Sequence, residues 1–169
     1  MKRLWLPSAI FVAAIAFTVG ELAYRYPQLP DRVASHFNAG GQADGWTTKA
    51  RFAEMWVAVM AMLAFMFGMT LVIISVAPAC SFNLPNRDYW LAPERAAATR
   101  RMIVQRMLWF MAALMLFIAY LSHEAIAFNL KPGDQLTVWT PLGVFLAFTT
   151  LWCGEMFYKF KHVPSANAK

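Results

Sequence analysis

Seven ionisable side chains are placed so that they could meet. Glu21, Glu54, His123 and Glu124 lie near the ends of long apolar runs, and Asp31, His36 and Asp44 lie in the polar stretch joining the first two runs. A charged group inside a membrane costs roughly 2.5–3.5 kcal/mol at mid-depth, so each such residue counts as a functional candidate. Imidazole with carboxylate is a donor set for a divalent metal. Imidazole also titrates near neutrality, which suits a proton-responsive cluster. The ordinary reading makes them boundary residues meeting water and the amides of the loop. That reading is the default, because no pair has a ligand spacing such as HxxxH. The expectation is an outer polar layer of Glu21, Glu54, His123 and Glu124 with neither metal nor cofactor. Glu155 stands apart toward the inner end of the last apolar run, with Lys159 one turn on as its expected partner.

Other chemistries find less footing. Ser35 precedes His36, but adjacent residues do not make a nucleophile and its base, and no GxSxG elbow exists. AGGQADG fits neither the GxGxxG nor the GxxxxGK[ST] phosphate pattern. Cys80 and Cys153 form no CxxC, and a reducing cytoplasm argues against pairing them. Methionine stripes (Met62, Met66, Met69 and Met107, Met111, Met115) could ligate Cu(I), but without an accompanying Cys or His they read as adaptable apolar filler. No basic-aromatic surface points to nucleic acid. The chain is expected not to be an enzyme.

The elements that must position these residues are membrane helices. Hydrophobic residues make up 60% of the 169 and charged residues only 14%, against about 25% charged in soluble chains. The excess sits in four runs, 4–24, 53–77, 107–128 and 138–158, each near the ~20 residues that cross a bilayer. The period-2 alternation of a membrane barrel is absent. The expected fold is an all-α membrane protein, a single domain over 1–169 with four transmembrane helices. A polar loop, 25–52, joins the first pair of spans, and a second, 78–106, joins the middle pair. The first run is too long for a signal-peptide core and lacks a small-x-small site before Arg25, so it reads as a retained helix.

Ten of the fifteen Lys and Arg fall before the first span, in 78–106, or after the last span. The positive-inside rule then places both termini and the 78–106 loop in the cytoplasm and the 25–52 loop outside. A collar of arginines near anionic headgroups accounts for the +6 net charge. Arg95, Arg100 and Arg101 are expected in that lipid contact, with Tyr89 and Trp90 at headgroup level and Pro93 opening a helix that runs into the third span. Small residues at four-residue spacing (Ala9/Ala13, Ala16/Gly20, Ala64/Gly68, Gly143/Ala147) are expected to pack helix on helix within the chain, a dimer face being the alternative.

The outer loop reads as a compact lid. Pro27 and Pro30 end the first helix, VASHF runs extended, and Asn38, Gly40 and Gly41 make a turn with positive φ. Asp44-Gly45 makes another turn, Trp46 anchors at the interface, and Thr47 or Thr48 caps the next helix. The series Leu29-Pro30, His36-Phe37-Asn38, Gly41, Asp44-Gly45-Trp46 and Lys49 resembles a short bacterial membrane domain of unknown function. That domain also forms the N-terminal part of Sdp-type toxin-immunity proteins. The likeness covers about residues 5–75. It implies a segment between the first two spans, as here, and no biochemical activity. The immunity proteins continue into a longer multi-helix domain that this chain is too short to contain.

The expected function is that of a non-enzymatic bacterial inner-membrane protein binding a partner or ligand at its outer face, in a sensory, protective or accessory role. The alternatives are an accessory subunit of a respiratory or photosynthetic complex and a small proton-linked transporter. Membrane lipids are expected partners, with other membrane subunits or a second copy of the chain as further candidates.

Overall fold

The computed structural model describes residues 4–131 and 136–163, so Lys2, Arg3 and Lys169 of the charge count lie outside the described residues. The protein is mostly helical. α1 (Trp5–Arg25) leads into a hairpin of β1 (Arg32–Phe37) and β2 (Ala43–Thr48), and α2 (Lys49–Val76) follows directly. A short α3 (Arg87–Trp90) precedes α4 (Pro93–Leu130), and α5 (Trp139–Lys161) ends the described bundle. The hairpin corrects the all-α expectation. The loop was legible as turns and one extended piece, but its second strand, ADGWTT, is too poor in β-forming residues to read as one.

α1, α2 and α4 are long and apolar enough to cross a membrane. α5 has the length, but Thr140, Thr149, Thr150, Glu155 and two tryptophans dilute it. The third apolar run is the second half of one uninterrupted 38-residue helix. At 1.5 Å per residue α4 is about 57 Å long, well beyond a ~30 Å hydrocarbon core. Pro93 opens it at a position where its missing N–H costs nothing. Large apolar side chains such as Phe65, Val76, Val144 and Leu151 are more than two-thirds exposed. An apolar exterior on this scale is the build of a membrane protein.

α4 is the axis, with α1, α2 and α5 packed around it. α1 and α4 run toward the hairpin end of the bundle, and α2 and α5 run away from it. Three apolar clusters stack along the axis. Leu22, Val33, Phe52, Ala125, Ile126 and Leu136 fill the hairpin end. Ala14, Met60, Met115 and Ala119 fill the middle. Ile74, Ile103 and Phe160 fill the arginine-rich end. Met111 and Met115 are core, whereas Met62, Met66 and Met69 face outward. The small-residue ridges do not serve the intrachain packing expected of them. A side chain added at Gly20, Gly68 or Gly143 would meet open space. The face of α1 that turns to α4 carries Ala14, Thr18 and Leu22 instead.

The arginine-rich end is tied by helix capping. Arg100 donates to the carbonyls of Ile74 (2.7 Å) and Ala77 (2.5 Å), closing the C-terminus of α2. Asn86, in the left-handed region at φ 52°, donates to Phe160 and Lys161 at the end of α5. Trp90 Nε1 donates to the same Phe160 carbonyl at 3.0 Å. Glu155 pairs with Arg106 of α4, through Nη1 and, at 2.6 Å, Nη2, and not with Lys159. A guanidinium from a neighbouring helix presents a two-pronged fit that a lysine on the same helix lacks.

Candidate functional site

The hairpin end holds most of the residues singled out by the sequence. Asn38 builds the turn: its Oδ1 accepts from the amides of Gly40 (2.9 Å) and Gln42 (3.1 Å), and its backbone N–H donates to Gln42 O at 2.9 Å. Gly41 takes φ +75° and seats the turn on Leu136, whose N–H donates to Gly41 O at 3.1 Å. A Cβ at Gly41 would collide with the Leu136 carbonyl. Trp139 Nε1 adds a bond to Ala39 O at 2.9 Å. The tip is thus fastened to the start of α5.

The strands pair Ala34 with Trp46, His36 with Gly45 and Phe37 with Ala43, so Ser35 and Asp44 are bulged out on opposite strands. Such bulges re-aim side chains. Asp44 is thereby brought to His36 Nδ1, and this pair corrects the expectation that Asp44 serves a turn. Gly45 is required beside it, since a Cβ there would lie 2.8 Å from His36 Cβ. At the hairpin base Lys49 bonds Asp31 twice, by its N–H to the carbonyl and by Nζ to the carboxylate, both at 3.1 Å. Thr48 caps α2 through the Arg51 amide. Pro30 is exposed beyond the buried Leu29, and Trp46 is half exposed.

The deepest attachment uses a residue that the sequence reading passed over. Asn129, buried near the end of α4, accepts from Ala34 N–H at 2.6 Å and donates to Ala34 O and Ala125 O, both at 2.9 Å. A polar residue directly at the end of an apolar run was the available signal, and it is a weak one because such ends are ordinarily polar. Val33 and Ala34 are wholly buried against the bundle, and Phe37 meets Phe128 edge to face at 5.0 Å. The lid expected over the bundle mouth is therefore a hairpin joined to α1 and α2 by the chain, to α4 by Asn129 and to α5 by Leu136 and Trp139.

Under β1 lies a cavity of about 360 Å³. Its walls are apolar, with Phe52, Met55, Trp56 and Val59 from α2, Leu121 and Ala125 from α4, and Leu136 and Val138 ahead of α5. Ser35, His36 and Asn38 form the polar rim. The volume falls in the range of small-ligand pockets, which join mostly apolar walls to a few polar groups.

The expected outer polar layer is not one assembly. Glu21 of α1 meets His123 of α4, Oε1 to Nδ1 at 2.7 Å, on a face lined also by Arg25, Gln28 and Lys131. Glu21 is nearly buried, and its second oxygen has no partner among the described residues; the Ser122 hydroxyl is in the same position. Glu54 is exposed on α2 and Glu124 is half-buried on α4, neither in an ion pair among the described residues. Helical rotation separates them, since His123 and Glu124 are 100° apart. No three His, Cys, Asp or Glu converge among the described residues.

These features define a membrane-type helical bundle clasped at one end by a bulged hairpin over an apolar cavity. A family described as a domain of unknown function (DUF1648) matches residues 10–63, from the first half of α1 through the hairpin to the middle of α2. No curated protein and no solved structure matches the chain.

Proposed function

We propose that the chain is a non-enzymatic, four-span protein of the bacterial inner membrane that binds an apolar ligand, or the apolar segment of a partner, beneath its hairpin. Both termini are cytoplasmic and the hairpin lies outside, in keeping with ten of the fifteen Lys and Arg at or beyond the opposite end. α5 is the fourth span. Its 23 residues reach about 34 Å, and the Thr149 hydroxyl bonds the Phe145 carbonyl, which lowers its cost in lipid. The observation that carries the binding role is the cavity, where apolar walls meet a polar rim of Ser35, His36 and Asn38, with His36 paired to Asp44. The likeness to Sdp-type immunity proteins fits a protective role at that face.

Photo-crosslinking from position 55 in cells tests it. A discrete adduct that disappears in Val59→Trp, and weakens in His36→Ala and Asp44→Ala, is the expected result. Crosslinks to bulk lipid alone, unchanged by those variants, would remove the proposal.

The outward ridges at Gly20, Gly68 and Gly143 favour a second reading, an accessory subunit docked by close helix approach. Gentle extraction and sizing separate the two, since a lone small particle counts against a subunit. A proton-linked transporter comes third, because it needs a polar path past the Ala14, Met60, Met115 and Ala119 cluster.

A further inference from the structure

The seam between α1 and α4 carries two recesses end to end. One, of about 410 Å³, lies at the hairpin end and is lined by Glu21, Arg25, Gln28, His123 and Lys131. The other, of about 510 Å³, continues along the same helix faces, and Ile10, Ala13, Phe17 and Leu116 wall it. Ala14 and Ala119, both buried, are its floor. The α1 residues step 10, 13, 14, 17, 21, 25, which is one helical face, and Gln28 follows in the next turn of chain. Phe17 and His123 stand ring to ring, 6.4 Å between centroids, where the recesses join. Alanines at the floor make this stretch a groove, and they give the exposed Ala13 a purpose that packing within the chain does not.

We infer that this seam holds one phospholipid of the ethanolamine class, its head group among the charged residues and an acyl chain along the alanines. Three observations fix that occupant. From Ile10 to Glu21 the apolar stretch rises about 16 Å, half of a ~30 Å hydrocarbon core and so the depth of one leaflet. Arg25 and Lys131 supply cationic donors suited to a phosphate. Glu21 spends Oε1 on His123 and keeps Oε2 buried without a donor among the described residues, a costly arrangement that a primary ammonium completes. The trimethylated head group of phosphatidylcholine has no N–H to give.

The test is native mass spectrometry of the full chain released from bilayers containing equal parts of phosphatidylethanolamine, phosphatidylcholine and phosphatidylglycerol. The expected result is one retained phosphatidylethanolamine, favoured about tenfold over phosphatidylcholine. Glu21→Gln lowers that preference, and Arg25→Gln with Lys131→Gln weakens retention of every phospholipid. Ala13→Leu, an exposed position whose change leaves the core intact, fills the groove and removes the bound lipid whatever its head group. Equal retention of all three lipids, unmoved by Ala13→Leu, overturns the site. Preference for phosphatidylglycerol overturns the assignment of the head group.

Discussion

Asn129 stands where a third strand would stand beside Ala34. Its side-chain amide accepts from the Ala34 N–H at 2.6 Å and donates to the Ala34 carbonyl at 2.9 Å, 95 residues away in sequence. A two-stranded hairpin is marginal by itself, and both of these backbone groups are buried, where an unmet bond costs about 1–3 kcal/mol. One side chain therefore turns a free hairpin into part of the bundle.

Asn129→Leu is expected to destabilise the protein by about 2–4 kcal/mol, since two buried backbone groups lose their partner at once. Thermal unfolding in detergent, with hydrogen exchange at the Ala34 amide, measures this. A protected Ala34 amide at unchanged melting temperature would show that the hairpin holds without it.

Gly41→Ala combines a positive φ with a clash against the Leu136 carbonyl. The conformational part alone costs about 1–2 kcal/mol, so release of the hairpin tip is expected, seen as protease cleavage within 38–42. Gly40→Ala is the milder comparison, since its added carbon would meet only the Asn38 Oδ1, at 3.2 Å.

His36 and Asp44 are both largely solvent-accessible, at 74% and 45% side-chain exposure. Exposed pairs contribute about 0–1 kcal/mol and fade with salt. A double-mutant cycle in low and high salt should find a coupling below about 1 kcal/mol. Any loss of binding in those variants then reports on the site and not on the fold.

Arg100→Ala should cost about 1–3 kcal/mol, because two charge-assisted bonds at the C-terminus of α2 are lost. Arg100→Lys should recover only part, as an ammonium lacks the fork that reaches both carbonyls. Denaturation in mixed micelles measures both, and full recovery by lysine would refute the two-pronged cap.

The helices were legible because burial in lipid leaves a plain mark, twenty apolar residues at a time. Asn38 and Gly41 were legible as turn-makers because their roles are local. What stayed hidden depends on contacts between distant segments. The partners of Gly41 and Ala34 lie some 95 residues further on, and no pattern within a window reveals them. The Arg106 partner of Glu155 is hidden in the same way, because only neighbours along one helix, such as Lys159, can be counted from sequence. The second strand was missed for a related reason. ADGWTT is held in place by pairing and docking, with little intrinsic preference of its own.

The fastening of the hairpin also sets an order of assembly. β1 and β2 emerge early in synthesis, between α1 and α2, but the groups that secure them are Asn129, Leu136 and Trp139. Until the last of these has been made and its helix packed, the Asn38–Gln42 tip has nothing to rest on. The hairpin can close only then, and its closure is a report, readable by a protease, that every helix of the bundle has arrived.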